Sequence, residues 1–336
     1  MPRARAAWWQ QTTEEMLDPG LAICDTHHHF WDHGPADRYL FDELLEDVNG
    51  GHNIVSSVFV ECSSMYRRDG AEELKPVGEI EFVNGLAAMS ASGQYGPARL
   101  AAGIVGYADL LLGAGVARVL EAHLAASPAR FRGIRYWTTW DEKASEIGLR
   151  HCAPRDVMRQ PAFREGLACL PRYRLAYDAW MLFHQLPELV DLARALPDLT
   201  FVMEHVGGLV GIGPYSNRDE VLEVWKRNVA AVASCPNVVV KLGGLGTGRL
   251  GYGWQDRPKP PSSAEMAETW GPYCLYCIEQ FGPERCMFES NFPVDGAAAS
   301  YHLIWNTFKR ITQGFSPSEK RSMYLGTAER VYRLGA

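Results

Sequence analysis

Asp25-Thr26-His27-His28-His29 places three consecutive imidazoles at the end of a short apolar run, Leu21-Ala22-Ile23-Cys24. If that run is a strand, residues two apart share a face. His27 and His29 then look into one space while His28 looks away. Two neutral imidazoles side by side are half of a site for zinc or another borderline divalent ion. The apolar residues before them, and Phe30-Trp31 after, argue against a tag remnant or a polar loop.

Other reactive side chains close similar runs. Glu61 follows Ile54-Val55-Ser56-Ser57-Val58-Phe59-Val60, with Tyr66 and Arg67 just beyond. Arg135-Tyr136-Trp137, Asp178 (with Trp180 after it), Glu204-His205, Lys241, and Glu289 with Asn291 and Asp295 stand at comparable places. Buried charges without partners cost several kcal/mol each. Taken singly, each has a structural explanation; Arg135, for example, could pair with Asp178 or Glu61. Their joint convergence is what points to a site.

The elements that would bring them together are legible as eight apolar or β-branched runs at 21–27, 54–61, 100–106, 131–136, 174–178, 200–205, 237–242 and 285–290. Helical periodicity fills the intervals, as in 116–124, 186–196, 219–233 and 263–281, and final helices are expected over 300–310 and 316–334. Alternating strands and helices imply parallel strands with helical crossovers. Eight such units predict a single closed (β/α)8 TIM-type barrel over residues 21–336, with residues 1–20 as an N-terminal extension. The C-terminal strand ends of such a barrel share one mouth. No GxGxxG follows the first strand, which weighs against a dinucleotide fold. Strand alternation predicts that His205 shares a face with Phe201 and Met203 while Glu204 turns away, and that Glu289 and Asn291 share a face. The Gly- and Pro-rich segment 243–263 is too long for a simple connector and reads as a substrate-covering loop.

Composition narrows the function classes. The chain has 336 residues and a net charge of -7, with no Lys/Arg block, which argues against nucleic acid or an anionic membrane as a partner. No window approaches the roughly 18 apolar residues of a membrane span, and the first twenty residues do not make a signal peptide. The eight cysteines are scattered, as expected of reduced thiols in a cytoplasmic protein. Cys274 and Cys277 form a lone CxxC within a helical stretch and read as small buried hydrophobes.

Asp25-Thr26-His27-His28-His29-Phe30-Trp31-Asp32 resembles the first-strand HxH motif of the amidohydrolase superfamily. Phe201-Val202-Met203-Glu204-His205-Val206-Gly207-Gly208 is similar to its sixth-strand histidine segment, and Cys286-Met287-Phe288-Glu289-Ser290-Asn291-Phe292-Pro293 to its eighth-strand G-S-D-W/F-P segment. Gly133-Ile134-Arg135 and Val240-Lys241-Leu242-Gly243 match further recurring pieces. The nearest branch is the amidohydrolase-2 group of lactonases and metal-dependent decarboxylases, and the match runs from about residue 21 to 333. The resemblance implies a (β/α)8 barrel whose HxH pair, sixth-strand histidine and eighth-strand aspartate line the reaction centre. The aspartate serves as general base toward water, with one divalent metal in some branches and none in some lactonases.

Asn291 stands where that aspartate is expected, and a neutral amide is neither a useful base nor as good a metal ligand. Glu289, Asp295 or Glu61 could replace it as base. Alternatively, a histidine is the base and Asn291 orients water or substrate, or the chain has kept binding and lost hydrolysis. His27, His29 and His205 would hold a zinc-like metal if one binds. Arg135, Lys241 and Arg67 suggest an anionic, carboxylated small molecule, clasped by Tyr66, Tyr136 and Trp137, with Glu61 and Asp178 as further contacts, while Trp180 reads as core filling. The expectation is a lactonase in which Arg135, Lys241 or a metal stabilises the oxyanion. A metal-dependent non-oxidative decarboxylase or a non-catalytic binder is the alternative. The resemblance is compatible with a homodimer.

Overall fold

The computed structural model describes residues 2–149 and 151–335. Eight parallel strands lie side by side in chain order: β1 (Ile23–His28), β2 (Ile54–Val60), β3 (Arg99–Gly106), β4 (Phe131–Trp137), β5 (Ala176–Trp180), β6 (Phe201–Met203), β7 (Val238–Leu242) and β8 (Cys286–Phe288). The strands are short and rich in Val, Ile and Phe. Their alternate residues divide into two apolar sets, as the strand pleat requires. Ile23, Phe59, Ile104, Ile134, Tyr177, Phe201, Val240 and Phe288 pack outward in the main core. Cys24, Val58, Val60, Val105, Ala176, Val202, Val239 and Met287 form a second, interior cluster.

Helices occupy the connections: α1 (Pro2–Trp9), α2 (Phe41–Val48), α3 (Val77–Ala91), α4 (Ala117–Ala126), α5 (Pro161–Cys169), α6 (Leu186–Ala195), α7 (Arg218–Ala233), α8 (Ser263–Phe281), α9 (Tyr301–Ile311), α10 (Pro317–Arg321) and α11 (Thr327–Tyr332). Side-chain oxygens of Ser262, Ser300 and Ser316 cap α8, α9 and α10, each accepting from the backbone N–H three residues on. Cys274 and Cys277 are buried within α8. The expected 316–334 helix is interrupted by a π turn at Ser322–Gly326. Among the described residues, no helix is long and apolar enough to cross a membrane.

Side chains complete what the backbone ladder leaves open between β1 and β8. The direct backbone link is His29 N–H to Phe292 O at 2.9 Å. Asp25 closes the rest of the seam, accepting from Ser290 N (2.9 Å), Ser290 Oγ (2.6 Å) and Tyr301 OH (3.0 Å). At the opposite end of the interior, Leu325, Ala328, Val331, Tyr332 and Leu334 join the inward-facing strand residues. A Cβ at Gly103 would sit 2.9 Å from Leu334 Cδ2, so glycine lets this segment seat deeply. Residues 5–20 run along the barrel: Trp9 donates to Gly296 O and packs on Phe292, and Glu14 accepts from Ser263 N (2.7 Å).

Candidate active site

Local backbone geometry at three strand ends aims the reactive side chains. At the end of β1, an irregularity between Asp25 and His28 sends His27 and His29 to one side, with Nε2 to Nε2 at 3.2 Å. His28 turns away to Ser57 Oγ at 2.9 Å. His29 donates Nδ1–H to Val60 O at 2.8 Å, which leaves Nε2 as its lone pair. Beyond β6, alternation points the opposite way from expectation. Phe201 and Met203 face the outer core and Val202 faces the interior, so Glu204 is an inward residue. His205 joins it because φ is +54° there and +48° at Val206, followed by left-handed Gly207 and Gly208. Positive φ at a β-branched residue costs of order 1–3 kcal/mol and persists only where packing enforces it. Gly244, itself at φ +67°, makes room: a Cβ there would lie 2.3 Å from His205 Cγ.

The inward groups form a buried web of charge. His27 Nδ1 lies 3.1 Å from Glu204 Oε1 and 3.0 Å from Glu289 Oε2. Glu289 Oε1 accepts from His205 Nδ1 at 2.7 Å. Arg135 donates from Nε to Glu61 Oε1 (2.7 Å), bonds the Glu61 carbonyl, and reaches Glu204 Oε2 at 3.4 Å. Lys241 donates to Asp178 Oδ2 (2.7 Å), and Tyr332 OH donates to the same oxygen (2.7 Å). Burial alone would raise the Glu289 carboxyl, but His205 and His27 hold it well below the usual range. Burial would lower His27, yet Glu204 and Glu289 hold its pKa above the ordinary value. His29 is pushed down by burial and by His27. Asp295 behaves differently. Burial pushes it up to about 7, although Gly246 N and Asn291 Nδ2 both donate to it. Asn291, at φ +50°, holds Asp295 Oδ1 at 2.8 Å.

The remaining expected residues separate into three groups. Tyr66, Tyr136 and Trp137 line a cleft of about 510 Å³ together with Glu61, Tyr107 and His151. Arg135, Lys241 and Asp178 enter the web but are consumed by partners within it. Arg67 does not join: it is exposed and paired with Glu81 on the surface. Trp180, expected as core, stands half-buried with its ring centroid 4.7 Å from that of His205. Strand alternation alone sets Glu204 aside, and Tyr332 and Arg249 carry no motif in the sequence. Arg249 comes from the 243–263 loop, its guanidinium carbon 5.4 Å from the Trp180 ring centroid. That loop therefore reaches the mouth rather than running clear of it.

The sequence matches the family model described as Amidohydrolase over residues 24–334. The chain belongs to the amidohydrolase family. Among curated proteins, this amidohydrolase is 31% identical to a Sinorhizobium fredii protein named y4mH, covering 94% of the chain and 99% of that protein. It is 26% identical to an L-fucono-1,5-lactonase of Burkholderia multivorans, covering 94% and 97%. Its fold matches a crystal structure of a Burkholderia multivorans amidohydrolase with bound zinc, at TM-score 0.70 and 24% identity, covering 93% of this chain and 99% of that one. Together these support an enzyme of the amidohydrolase superfamily.

The donor set fits a divalent cation. Ligand atoms of His27, Glu204 and His205 all lie within 4.8 Å of one another. Glu204 Oε1 and Glu289 Oε2 are buried and make no hydrogen bond among the described residues, being held by charge near His27 Nδ1. Glu61, Asp178, Glu204 and Glu289, with Asp295 pushed up to about 7, outnumber the buried cations Arg135 and Lys241 and the His27 imidazole whose pKa Glu204 and Glu289 raise, an excess of negative charge that suits a metal. Glu289, bonded to His205 Nδ1, is placed as the outer carboxylate that orients a ligating histidine. His29 lies against His27, whereas the expected all-histidine set gains a carboxylate, Glu204.

Proposed function

We propose that this amidohydrolase opens a lactone by activated water, with Asp295 as general base. The observation that carries the reading is a carboxylate beside the His/Glu cluster, buried and bonded by Gly246 N and Asn291 Nδ2, whose pKa burial pushes up to about 7. General bases work best near the operating pH, and this one is tuned there by burial. Glu61 is bonded by Arg135 and Trp137, and Glu289 is committed to two imidazoles, so neither is free to accept the proton. Asn291 then has a role without being a base: its amide fixes Asp295 Oδ1 and leaves that oxygen a second lone pair. Water gives its proton to Asp295 as its oxygen attacks the carbonyl carbon, and the ring C–O bond breaks as Asp295 passes that proton to the leaving alkoxide oxygen. A divalent metal held by His27, Glu204 and His205, zinc being a good match to these donors, would polarise the carbonyl when bound. Glu289 fixes the His205 tautomer, and Tyr66, Tyr107, Tyr136 and Trp137 wall the cleft that receives the ring.

A panel of lactones and carboxylated aromatics tests the reading, with acid release and CO2 release recorded in parallel. Ring opening liberates acid; decarboxylation liberates CO2; a binder gives neither. Lactone opening that falls about 10²- to 10⁴-fold in Asp295→Asn supports the assignment. CO2 release without acid would replace it with the decarboxylase reading. Metal content is followed after dialysis against a chelator, and full activity in metal-free protein would remove the metal from the scheme.

A further inference from the structure

We propose that Arg249 is the specificity residue of this site and selects lactones bearing a carboxylate remote from the ester, an inference that rests on the lactonase reading. The cations expected to bind such a group are all spent: Arg135 on Glu61 and Glu204, Lys241 on Asp178 and Glu204, and Arg67 on Glu81 at the surface. Arg249 is different. Among the described residues its guanidinium has no hydrogen bond and no ion pair; its recorded contact is the face of Trp180. Trp180 in turn meets His205 edge to face, so the cation stands one ring away from the cluster. Asp295 is the acid within electrostatic range, and its two oxygens already accept from Gly246 N and Asn291 Nδ2. Burial disfavours the charged guanidinium, so an anion supplied from outside the chain would relieve that cost.

The position is built rather than incidental. Arg249 O accepts from Gly211 N at 2.8 Å, and Leu250 O accepts from Arg218 Nη2 at 2.6 Å. These bonds fix the backbone of Arg249 and of the residue after it against the loop after β6 and the start of α7. A cation–π contact with the indole uses none of the guanidinium N–H groups, which leaves them for bidentate carboxylate recognition. Ring contacts lead from His27 through His205 and Trp180 to Arg249, so a carboxylate bound there is expected to be set apart from a carbonyl held at the cluster.

The test compares a carboxylated five-membered lactone with the carboxamide of the same lactone, in wild type, Arg249→Gln and Arg249→Lys. Wild type is expected to favour the carboxylate at least tenfold in kcat/KM, mainly through KM. The ratio of the two kcat/KM values should fall at least tenfold in Arg249→Gln and recover in part in Arg249→Lys. Loss of both activities in proportion, leaving the ratio unchanged, would overturn the proposal, because that is what mere collapse of the loop produces. If wild type opens neither lactone, the lactonase reading fails. Calorimetric titration with the ring-opened hydroxy dicarboxylate then decides Arg249 separately. Affinity at least tenfold weaker in Arg249→Gln upholds carboxylate selection by this site, and equal affinity overturns it.

Discussion

In the proposed mechanism Asn291 and Asp295 divide between them what one side chain would otherwise do, the amide orienting Asp295 and the carboxylate accepting the proton. Because Asp295 must be ionised to accept a proton, kcat/KM should rise with pH and level off above about 7, and Asp295→Asn should abolish that limb. Restoring a carboxylate with Asn291→Asp puts two acids within 2.8 Å, where they share a proton. The expected outcome is a pH limb displaced upward and lower activity at pH 7, read from the same profile. A gain at pH 7 would mean that position 291 itself is the base. At this scale the sequence told part of the story. His27, His29, Glu289 and Asp295 could be named because histidines and acids at strand ends announce themselves. Glu204 was misplaced because alternation was counted from His205, whose inward turn is made by left-handed backbone that sequence does not display.

Elements matter here mainly through how they stop. The eight strands were readable to within two residues at most ends, since apolar runs bounded by turns are set by local composition; β6 and β8 are shorter than expected because the chain turns inward to form the site. The glycines after β7 show how closely the loop is fitted. Gly244→Ala would force His205 away, so activity should drop at least tenfold with a modest fall in melting temperature. Gly85 gives the contrast: it is exposed in the middle of α3, and an added Cβ meets nothing within 4 Å. Gly85→Ala should raise stability by about 1 kcal/mol, measured by denaturant midpoint, with activity unaltered. The 243–263 loop shows the limit of composition as a guide. Its glycines and prolines signalled a long functional connection, but nothing in them indicated that Arg249 would stack on Trp180.

For the molecule as a whole, buried neutral histidines set the acid limit. His123 is fully buried and donates to Tyr107 O, and burial lowers its pKa to about 4; burial and Lys309 lower His52 to about 3. Both pKa values lie below the ordinary 6.5, so the unfolded chain takes up protons first as pH falls. The stability is complete above that value and is lost progressively below it, with His123 alone accounting for at most about 2 kcal/mol between pH 7 and pH 5. Urea midpoints should fall over that interval, and His123→Gln should flatten the slope; an unchanged slope would place the acid sensitivity elsewhere. The segment that fills the barrel interior has a further consequence, for the order in which the protein can be made. Tyr332 bonds Asp178 beside Lys241, so part of the site's floor follows all eight strands and every histidine of the cluster in the chain. A nascent chain halted before Tyr332 carries every strand and every histidine of the cluster, yet leaves an ion pair and an apolar cavity open to water. A chain truncated before Tyr332 is therefore expected to lose activity while keeping the histidine cluster.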